Sequence, residues 1–541
     1  MTDTNTSNLC EQIIATHFGP LTTKVAHVLL HRGRLPLSQI IRFSGLKPRT
    51  ARAAIIVLVQ HNILWHAQSD TDGEVFEVNT DECLMRLRYG RFVWQAEQLY
   101  GKAGAEVVQL ILDHGKLRPP EIISQLSIYD PVKGPSIYSQ ALHKLVENSY
   151  LKPSTILSHV SPRDRRIKYE AEEKAKISGF PTAKQLKEVK EVASARIKRE
   201  EEDAEKIGMK RKAKEHSGRP GKRKAVDEEA VDDGVFFRVN SEKFNIHIRN
   251  KMIEDSARER YNDQAALVMR AVLKATETKQ LRLTDTLSDP TSLANVSMSL
   301  SEDDDLSGGL ATSSKHPSQM SLLKDYCAIL AAADNPSHAG KAGSFLSVNG
   351  SKLQVEFEII ATRLRRRILE AITRERHGDE GVRIVCLLLS TGKMDEKQIS
   401  KVGMMDPKDV RPLLTAMAAE SIVSLQEVAK SADRNPARTF FLWYVDLQKA
   451  YAVIISNLYK TLHNIVRRRQ VEEEEPLLRA VLDKRQRSDV SQDEERLLTR
   501  NEREMLAKWE KKCEKLTVLE MRVEESVFIL RDMGTFAVND D

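Results

Sequence analysis

The chain has 541 residues, of which 84 are Lys or Arg and 78 are Asp or Glu, for a net charge of +6; 41% are apolar, 5% aromatic and 30% charged. That length allows about three to five domains, and the high charge fraction suits helical surfaces and solvated linkers. No run approaches the roughly eighteen apolar residues of a membrane span, Met1 to Asn8 carries no basic and apolar leader, and Cys10, Cys83, Cys327, Cys386 and Cys513 lie far apart, so the chain is expected to be a soluble intracellular protein with neither a zinc ribbon nor a disulfide framework.

Three segments share one grammar. An apolar helix ends at Gly33-Arg34-Leu35, at Gly115-Lys116-Leu117 and at Gly392-Lys393-Met394, and an isoleucine (Ile40, Ile122, Ile399) follows seven residues after each glycine. Glycine suits the left-handed residue that closes a helix, and the basic residue complements the negative end of its dipole. Pro48, Pro135 and Pro407 then open a longer helix, as proline can at a first helical position. Ile55, Leu142 and Leu414 stand seven residues on, Leu58, Leu145 and Met417 ten on, and Asn62, Ser149 and Ser421 fourteen on. Apolar pairs follow these small polar residues, and Glu74 to Val78, Val235 to Val239 and Phe440 to Val445 read as strands. Helix, short helix, long helix and β-hairpin make a winged helix.

A fourth copy is inferred between the second and the last. Gln264 to Ala275 is its first helix, Leu281 and Leu283 begin the second, Met320 to Ala333 is the third, and Ser344 to Val348 with Leu353 to Phe357 is a wing. Thr284 to Pro317, rich in Ser and Asp, is expected to be a disordered insertion. The expected organisation is mainly α with small β-hairpin wings. Tandem extended winged-helix domains occupy 9–80, 81–250 (with a charged insertion at about 160–233), 251–357 (with an acidic, Ser-rich insertion at about 284–317) and 358–446, and a coiled-coil helical hairpin occupies 447–535.

Residues Arg163 to Lys224 hold 21 basic and 12 acidic side chains, a net +9, so the rest of the chain sums to −3. Two basic clusters within them, Lys210-Arg211-Lys212 and Lys222-Arg223-Lys224, have the spacing of a bipartite nuclear import signal. A solvated charged linker is the competing reading of this window. In the last segment Leu447, Tyr451, Ile454, Leu458, Leu462 and Ile465 recur at helical spacing, and Trp509, Leu516, Val523 and Leu530 recur every seven residues with Leu519 between them. Two helices joined through the polar region Asp483 to Glu495 would form an antiparallel hairpin, either self-contained or docking a partner.

No catalytic constellation emerges, and neither a cofactor nor a metal is expected. Ala339-Gly-Lys-Ala-Gly-Ser344 lacks the spacing of a phosphate loop. His27 and His31 lie four apart on a helix without an evident third ligand, so one is expected to pack and the other to be exposed. DNA contact is the remaining candidate activity, since the third helix of a winged unit can enter a groove. The first unit offers Lys47, Arg49 and Arg52, and the second Lys133, His143 and Lys144. The last has only Lys408 and Arg411, offset by Asp406, Asp409 and Glu420. None has the side chains of a base reader, which points to non-specific phosphate contact by the first unit and protein contact by the last.

His17-Phe18-Gly19-Pro20, Val25 to Leu30, Arg32-Gly33-Arg34-Leu35 and the run Arg49 to Leu64 resemble the N-terminal winged helix of the family formed by the large subunit of the RNA polymerase III-specific heterotrimer. Arg258 to Asp263, followed by an apolar helix, is similar to that family's third unit. The resemblance implies four extended winged helices and a coiled coil, a plan similar to the alpha subunit of general transcription factor IIE. It also implies a seat on the clamp of the largest polymerase subunit, two further heterotrimer subunits and polymerase III initiation factors as partners, and DNA touched without sequence preference. By the same resemblance the chain is a non-catalytic subunit in the nucleus that assists initiation and promoter opening at genes for transfer RNA and 5S RNA. The competing functions are a free-standing winged-helix DNA-binding regulator and a winged-helix scaffold protein.

Overall fold

The computed structural model describes residues 3–69, 73–129, 134–177, 179, 182–211, 229–301, 304–310, 318–332, 344–429, 439–487, 490 and 494–533. The chain divides into two compact units, Met1–Phe244 and Asn245–Asp541.

In the first unit, helix α1 (Thr4–Phe18) is joined to α2 (Pro20–Arg32) through Gly19 alone, at φ +80° and ψ −177°. Helix α2 ends at Gly33, φ +78°, whose N–H donates to the Leu29 carbonyl at 2.8 Å. Strand β1 (Leu35–Pro36), α3 (Leu37–Ser44), α4 (Pro48–Gln60), β2 (Leu64–Ser69) and β3 (Gly73–Val78) follow, with antiparallel sheet order β1-β3-β2. Leu35 pairs with Phe76 and Trp65 with Glu77. The equivalenced positions Ile40, Ile55 and Leu58 are buried beside Val25 and Leu29, because three- and four-residue spacing gathers them on the inner faces.

After α5 (Thr80–Met85) the pattern repeats. Helix α6 (Tyr89–His114) breaks at Gly101, φ +72° and ψ −174°, and ends at Gly115, φ +82°. Leu117 bridges to Phe237, α7 (Pro119–Tyr129) and α8 (Pro135–Glu147) follow, and β4 (Leu151–Pro153) pairs with β7 (Phe237–Val239).

Between those strands the described part of the charged insertion is folded, which corrects the linker reading for those residues. Helices α9 (Pro162–Ala175) and α10 (Ala183–Glu205) pack together, and β5 (Met209–Arg211) pairs with β6 (Glu229–Val231). Several of its charges pair with one another, and Asp164 pairs with Arg34. Arg196 donates to Glu172 at 2.7 Å and to Glu200 at 3.3 Å and lies 4.1 Å from the buried Tyr169 ring, whose hydroxyl donates to Glu200 at 2.5 Å. Val189 and Ala193 are buried as well. Sparse apolar residues suffice here because aliphatic stems and one aromatic ring supply the buried seam.

Helix α11 (Ser241–Arg260) crosses the boundary expected at residue 250. In the third winged unit α12 (Asp263–Thr276) is capped by Asn262, whose side chain accepts from Ala265 N–H at 2.8 Å. The second helix is α13 (Leu293–Ser299), directly after β8 (Thr291–Ser292). It does not begin at Leu281 and Leu283, which lie outside any helix. Much of the supposed disordered insertion is therefore winged-helix framework, with Val296 and Leu306 buried; residues 302–303 and 311–317 lie outside the described residues. Two apolar anchors hold a segment whose composition is otherwise that of a loop. Helix α14 (Gln319–Ala331) and strands β9 (Leu346–Asn349) and β10 (Lys352–Val355) complete this unit, with sheet order β8-β10-β9.

In the fourth, α15 (Phe357–Thr391) breaks at Gly378, φ +69° and ψ −172°, and ends at Gly392, φ +88°. Strand β11 (Met394–Asp395), α16 (Glu396–Gly403), α17 (Pro407–Ala419), β12 (Ser424–Ala429) and β13 (Thr439–Tyr444) follow, with sheet order β11-β13-β12. Ile399, Leu414 and Met417 are buried in its core.

Asn62, Ser149 and Ser421 all adopt left-handed backbone, at φ +58°, +61° and +60°. After each, the next N–H returns to the carbonyl five residues back: Ile63 to Leu58 at 2.9 Å, Tyr150 to Leu145 at 2.8 Å and Ile422 to Met417 at 3.0 Å. This is the glycine-type closure of a helix, built here on small polar residues.

The C-terminal hairpin pairs α18 (Leu447–Glu473) and α19 (Pro476–Arg485) with a returning helix, Arg500–Val527. Contacts run antiparallel. Arg531 reaches Tyr459 at 3.3 Å, Arg469 donates to Glu520 at 2.5 Å, Lys512 to Glu472 at 2.7 Å and Lys484 to Glu502 at 2.9 Å. Trp509, Leu516 and Val523 are half-buried and Leu530 is buried, whereas Leu519 is 44% exposed and stands outside the seam. The second inward row is Leu506, Cys513, Glu520 and Val527, so two of its four positions are not hydrocarbon. At the tip Leu478, Val481, Val490, Leu498 and Leu506 make a small separate core. The root is joined to the fourth winged unit, because Leu530 is buried in that unit's core with Ile384, Leu414 and Ile454.

Candidate interfaces of the winged units

Helix α4 carries the best-placed cations. Lys47 precedes its first residue, and Arg49 and Arg52 sit one turn apart. All three are exposed, and among the described residues none has an acidic partner. The unpaired N–H groups at the helix start add positive potential beside them, an arrangement suited to a phosphate. One turn further the same outer face becomes apolar, with Ile56 67% exposed and Val57 exposed beside it. Sequence reasoning missed this change because it searched the helix for base readers and, among its apolar residues, weighed only Ile55 and Leu58.

In the second unit Lys144 is exposed on α8, His143 lies 3.8 Å from Glu147, and Lys133 lies outside the described residues. The fourth unit's long helix is electrostatically muted, since Arg411 donates to Glu396 at 3.0 Å and Asp406 caps the Lys408 N–H at 3.2 Å. Beyond that helix the unit exposes several large apolar side chains. Met404 is 89% exposed at the end of α16 beside Val402, and the β12–β13 wing presents Leu425, Val428, Phe440 and Phe441. In that hairpin Val428 stands opposite Phe440 and Glu427 opposite Phe441, so apolar side chains occupy both faces. A surface of this chemistry suits a protein partner better than a phosphate backbone.

The first unit also holds a buried cationic cluster that sequence reasoning did not find. The buried Arg86 donates to His61 Nδ1 at 3.0 Å and lies 4.4 Å from the Phe18 ring centre and 5.2 Å from that of Tyr89, beside a cavity of about 430 Å³. Burial and the Arg86 charge push the His61 pKa down to about 3. His159, 2.9 Å from Lys116 Nζ, is lowered to about 4 by burial and then by that lysine. Both imidazoles are therefore neutral acceptors at physiological pH. The signal available in the sequence was a set of basic and histidine residues scattered over more than seventy positions, with nothing to bring them together.

Of the import clusters, Lys210 and Arg211 lie on β5, whereas Lys212, Lys222, Arg223 and Lys224 lie outside the described residues. His27 and His31 are both exposed, in place of one packed and one exposed, because both follow the outer face of α2 while Val25, Ala26, Val28 and Leu29 turn inward. Among the described residues no helix is long and apolar enough to cross a membrane.

Comparison with known proteins covers the same segments. Residues 8–68 match the RNA polymerase III subunit RPC82 helix-turn-helix domain, 140–354 the RNA polymerase III subunit RPC82 family, 369–445 the POLR3C C-terminal winged-helix domain, and 480–529 the DNA-directed RNA polymerase III subunit RPC3 helical hairpin domain. The chain is similar to DNA-directed RNA polymerase III subunit RPC-3 of Coccidioides immitis, with 27% identity over 97% of this chain and 99% of that one. It is 25% identical to subunit RPC3 of Bos taurus and of Homo sapiens, in each case over 96% of this chain and 97% of the relative. Four winged units, a hairpin rooted in the last of them and matches spread from the first unit to the hairpin lead to one conclusion: the chain belongs to the family of DNA-directed RNA polymerase III subunit RPC3.

Proposed function

We propose that the chain is a non-catalytic subunit of nuclear DNA-directed RNA polymerase III that works by binding. On this reading its partners are the clamp of the largest subunit, the other two subunits of the specific heterotrimer and the polymerase III initiation factors, and its role lies in initiation and promoter opening. The observation that carries the proposal is end-to-end similarity, over 96–97% of the chain, to relatives named as this subunit. The division of labour follows from the surfaces: the cationic start of α4 touches DNA phosphates without sequence preference, and the apolar wing of the fourth unit meets protein.

Affinity purification of the chain from nuclear extract, with identification of the co-purifying proteins, tests the proposal. Recovery of polymerase III subunits is the expected outcome, and their absence would overturn it. A free-standing regulator would instead bind one DNA sequence strongly over others, which the apolar outer face at Ile56 and Val57 does not favour.

A further inference from the structure

Helices α1 and α2 lie side by side because the Gly19 turn reverses the chain and Ile13, Ile14, Val25 and Val28 are buried between them and the core. That packing brings Glu11 to the histidine pair, although it is sixteen residues from His27 in sequence. Glu11 Oε2 lies 2.9 Å from His27 Nδ1, and the His31 ring stands edge-on to that of His27 at 4.3 Å between centres. One donor atom from each of the three side chains lies within 4.8 Å of the others. Among the described residues Glu11 has no lysine or arginine partner, so its carboxylate is not held by a competing cation.

We propose that Glu11, His27 and His31 form a surface site for a divalent transition-metal ion, with zinc as its physiological occupant. Two imidazole nitrogens and one carboxylate oxygen are a borderline donor set that suits zinc and is poor in oxygen for calcium or magnesium. Histidines four apart on one helix face reach a common point one turn wide, and Glu11 supplies the third ligand from the neighbouring helix. Metal bonds of about 2.0–2.2 Å require donor atoms roughly 3.3 Å apart, so from separations of up to 4.8 Å the side chains need close by no more than about 1.5 Å, through rotations open to exposed residues. The fourth position is left for water or a ligand from another molecule. The bound ion fastens α1 to α2 and stabilises the first winged unit, since a ligand that binds only the folded form adds to its stability.

The test uses the full-length chain after treatment with chelator, titrated with zinc by calorimetry and with cobalt as a spectroscopic probe. The expected result is one saturable site with the visible absorption of tetrahedral cobalt, and a zinc-dependent rise in melting temperature. The double variant H27A/H31A should lose all three signals while keeping its far-UV circular dichroism. Glu11→Gln should weaken zinc by at least the roughly tenfold loss that even outer-shell partners cost. Signals of equal size in H27A/H31A, no signal in the unaltered chain, or unchanged affinity in Glu11→Gln would each overturn the site.

Discussion

Arg365, buried on the leading half of α15, donates through Nε to the Ile529 carbonyl at 3.2 Å and through its terminal nitrogen to the carbonyl of Met533. One guanidinium thus holds the last described turn of the chain to the fourth winged unit. Replacing Arg365 by Leu leaves those carbonyls without their donor and should cost about 2–4 kcal/mol, and Leu530→Ala about 2–5 kcal/mol. Hydrogen exchange at residues 528–533 and in β13 should accelerate in both variants. Unchanged exchange would mean that the root is held by other contacts.

The left-handed helix closures give a prediction of opposite sign. Met404 occupies the position that Gly45 occupies in the first unit, at φ +52° against +65°, with its side chain in solvent. An L side chain in this conformation is strained, so Met404→Gly should stabilise the fourth unit by about 1 kcal/mol, less what glycine's extra freedom costs in the unfolded chain. Gly45→Met should destabilise by a similar amount. Urea midpoints that moved the other way would refute the equivalence.

Gly115 and Gly392 separate conformation from space. Both have strongly positive φ, but a Cβ on Gly392 meets open space, whereas one on Gly115 falls 2.6 Å from the Gln60 carbonyl oxygen. Gly392→Ala should therefore cost about 1–2 kcal/mol, and Gly115→Ala that amount plus an overpacking cost of about 1–3 kcal/mol. Thermal melts of the two variants provide the comparison.

Acid should weaken the first unit. Burial and neighbouring cations keep the proton off His61 until about pH 3 and off His159 until about pH 4, while the unfolded imidazoles take it up near pH 6.5. The unfolded state therefore binds more protons between those limits. The stabilisation is complete above pH 6.5 and declines as pH falls from there towards 3–4, at no more than about 1.4 kcal/mol per pH unit for each histidine. His61→Gln keeps an acceptor for Arg86 without titrating. The difference in urea midpoint between pH 7.5 and pH 5 should shrink in the pair H61Q/H159Q, and an equal difference would assign the acid limb to other groups.

The cationic start of α4 predicts a salt signature. With duplex DNA, replacing Lys47, Arg49 and Arg52 together by Ala should lower the slope of log affinity against log salt by up to about three. Binding should weaken similarly on unrelated sequences. An unchanged slope would show that these side chains touch no phosphate.

Much of the fold was legible because its signals are local. Gly33, Gly115 and Gly392 announce helix ends through backbone freedom, and the small polar residues fourteen positions after the helix-opening prolines mark the next reversal. Leu281 and Leu283 misled because they are apolar residues just past a helix, while the true second helix carries only Val296 as its buried apolar anchor. Leu519 misled because a heptad has two inward rows, and the second here includes Cys513 and Glu520, which apolar periodicity does not detect. The ligand trio and the Arg86–His61 pair were illegible for a different reason. Each is assembled by packing between distant helices, and spacing along the chain carries no trace of it.

The helix breaks at Gly19, Gly101 and Gly378 each precede a closing glycine, Gly33, Gly115 and Gly392, by the same fourteen residues. In the third unit the break falls at Asn262, and in all four an aromatic or histidine residue (Phe18, Tyr100, Tyr261, His377) stands just before it. The interval behaves as a ruler that tolerates no added length: one extra residue would rotate everything beyond it by about 100° and carry buried side chains into water. The chain's long additions all fall elsewhere, between the second wing's strands and after the first helix of the third unit. In a divergent chain of this architecture, a winged unit can be found by this fixed distance even after its wing has changed in length.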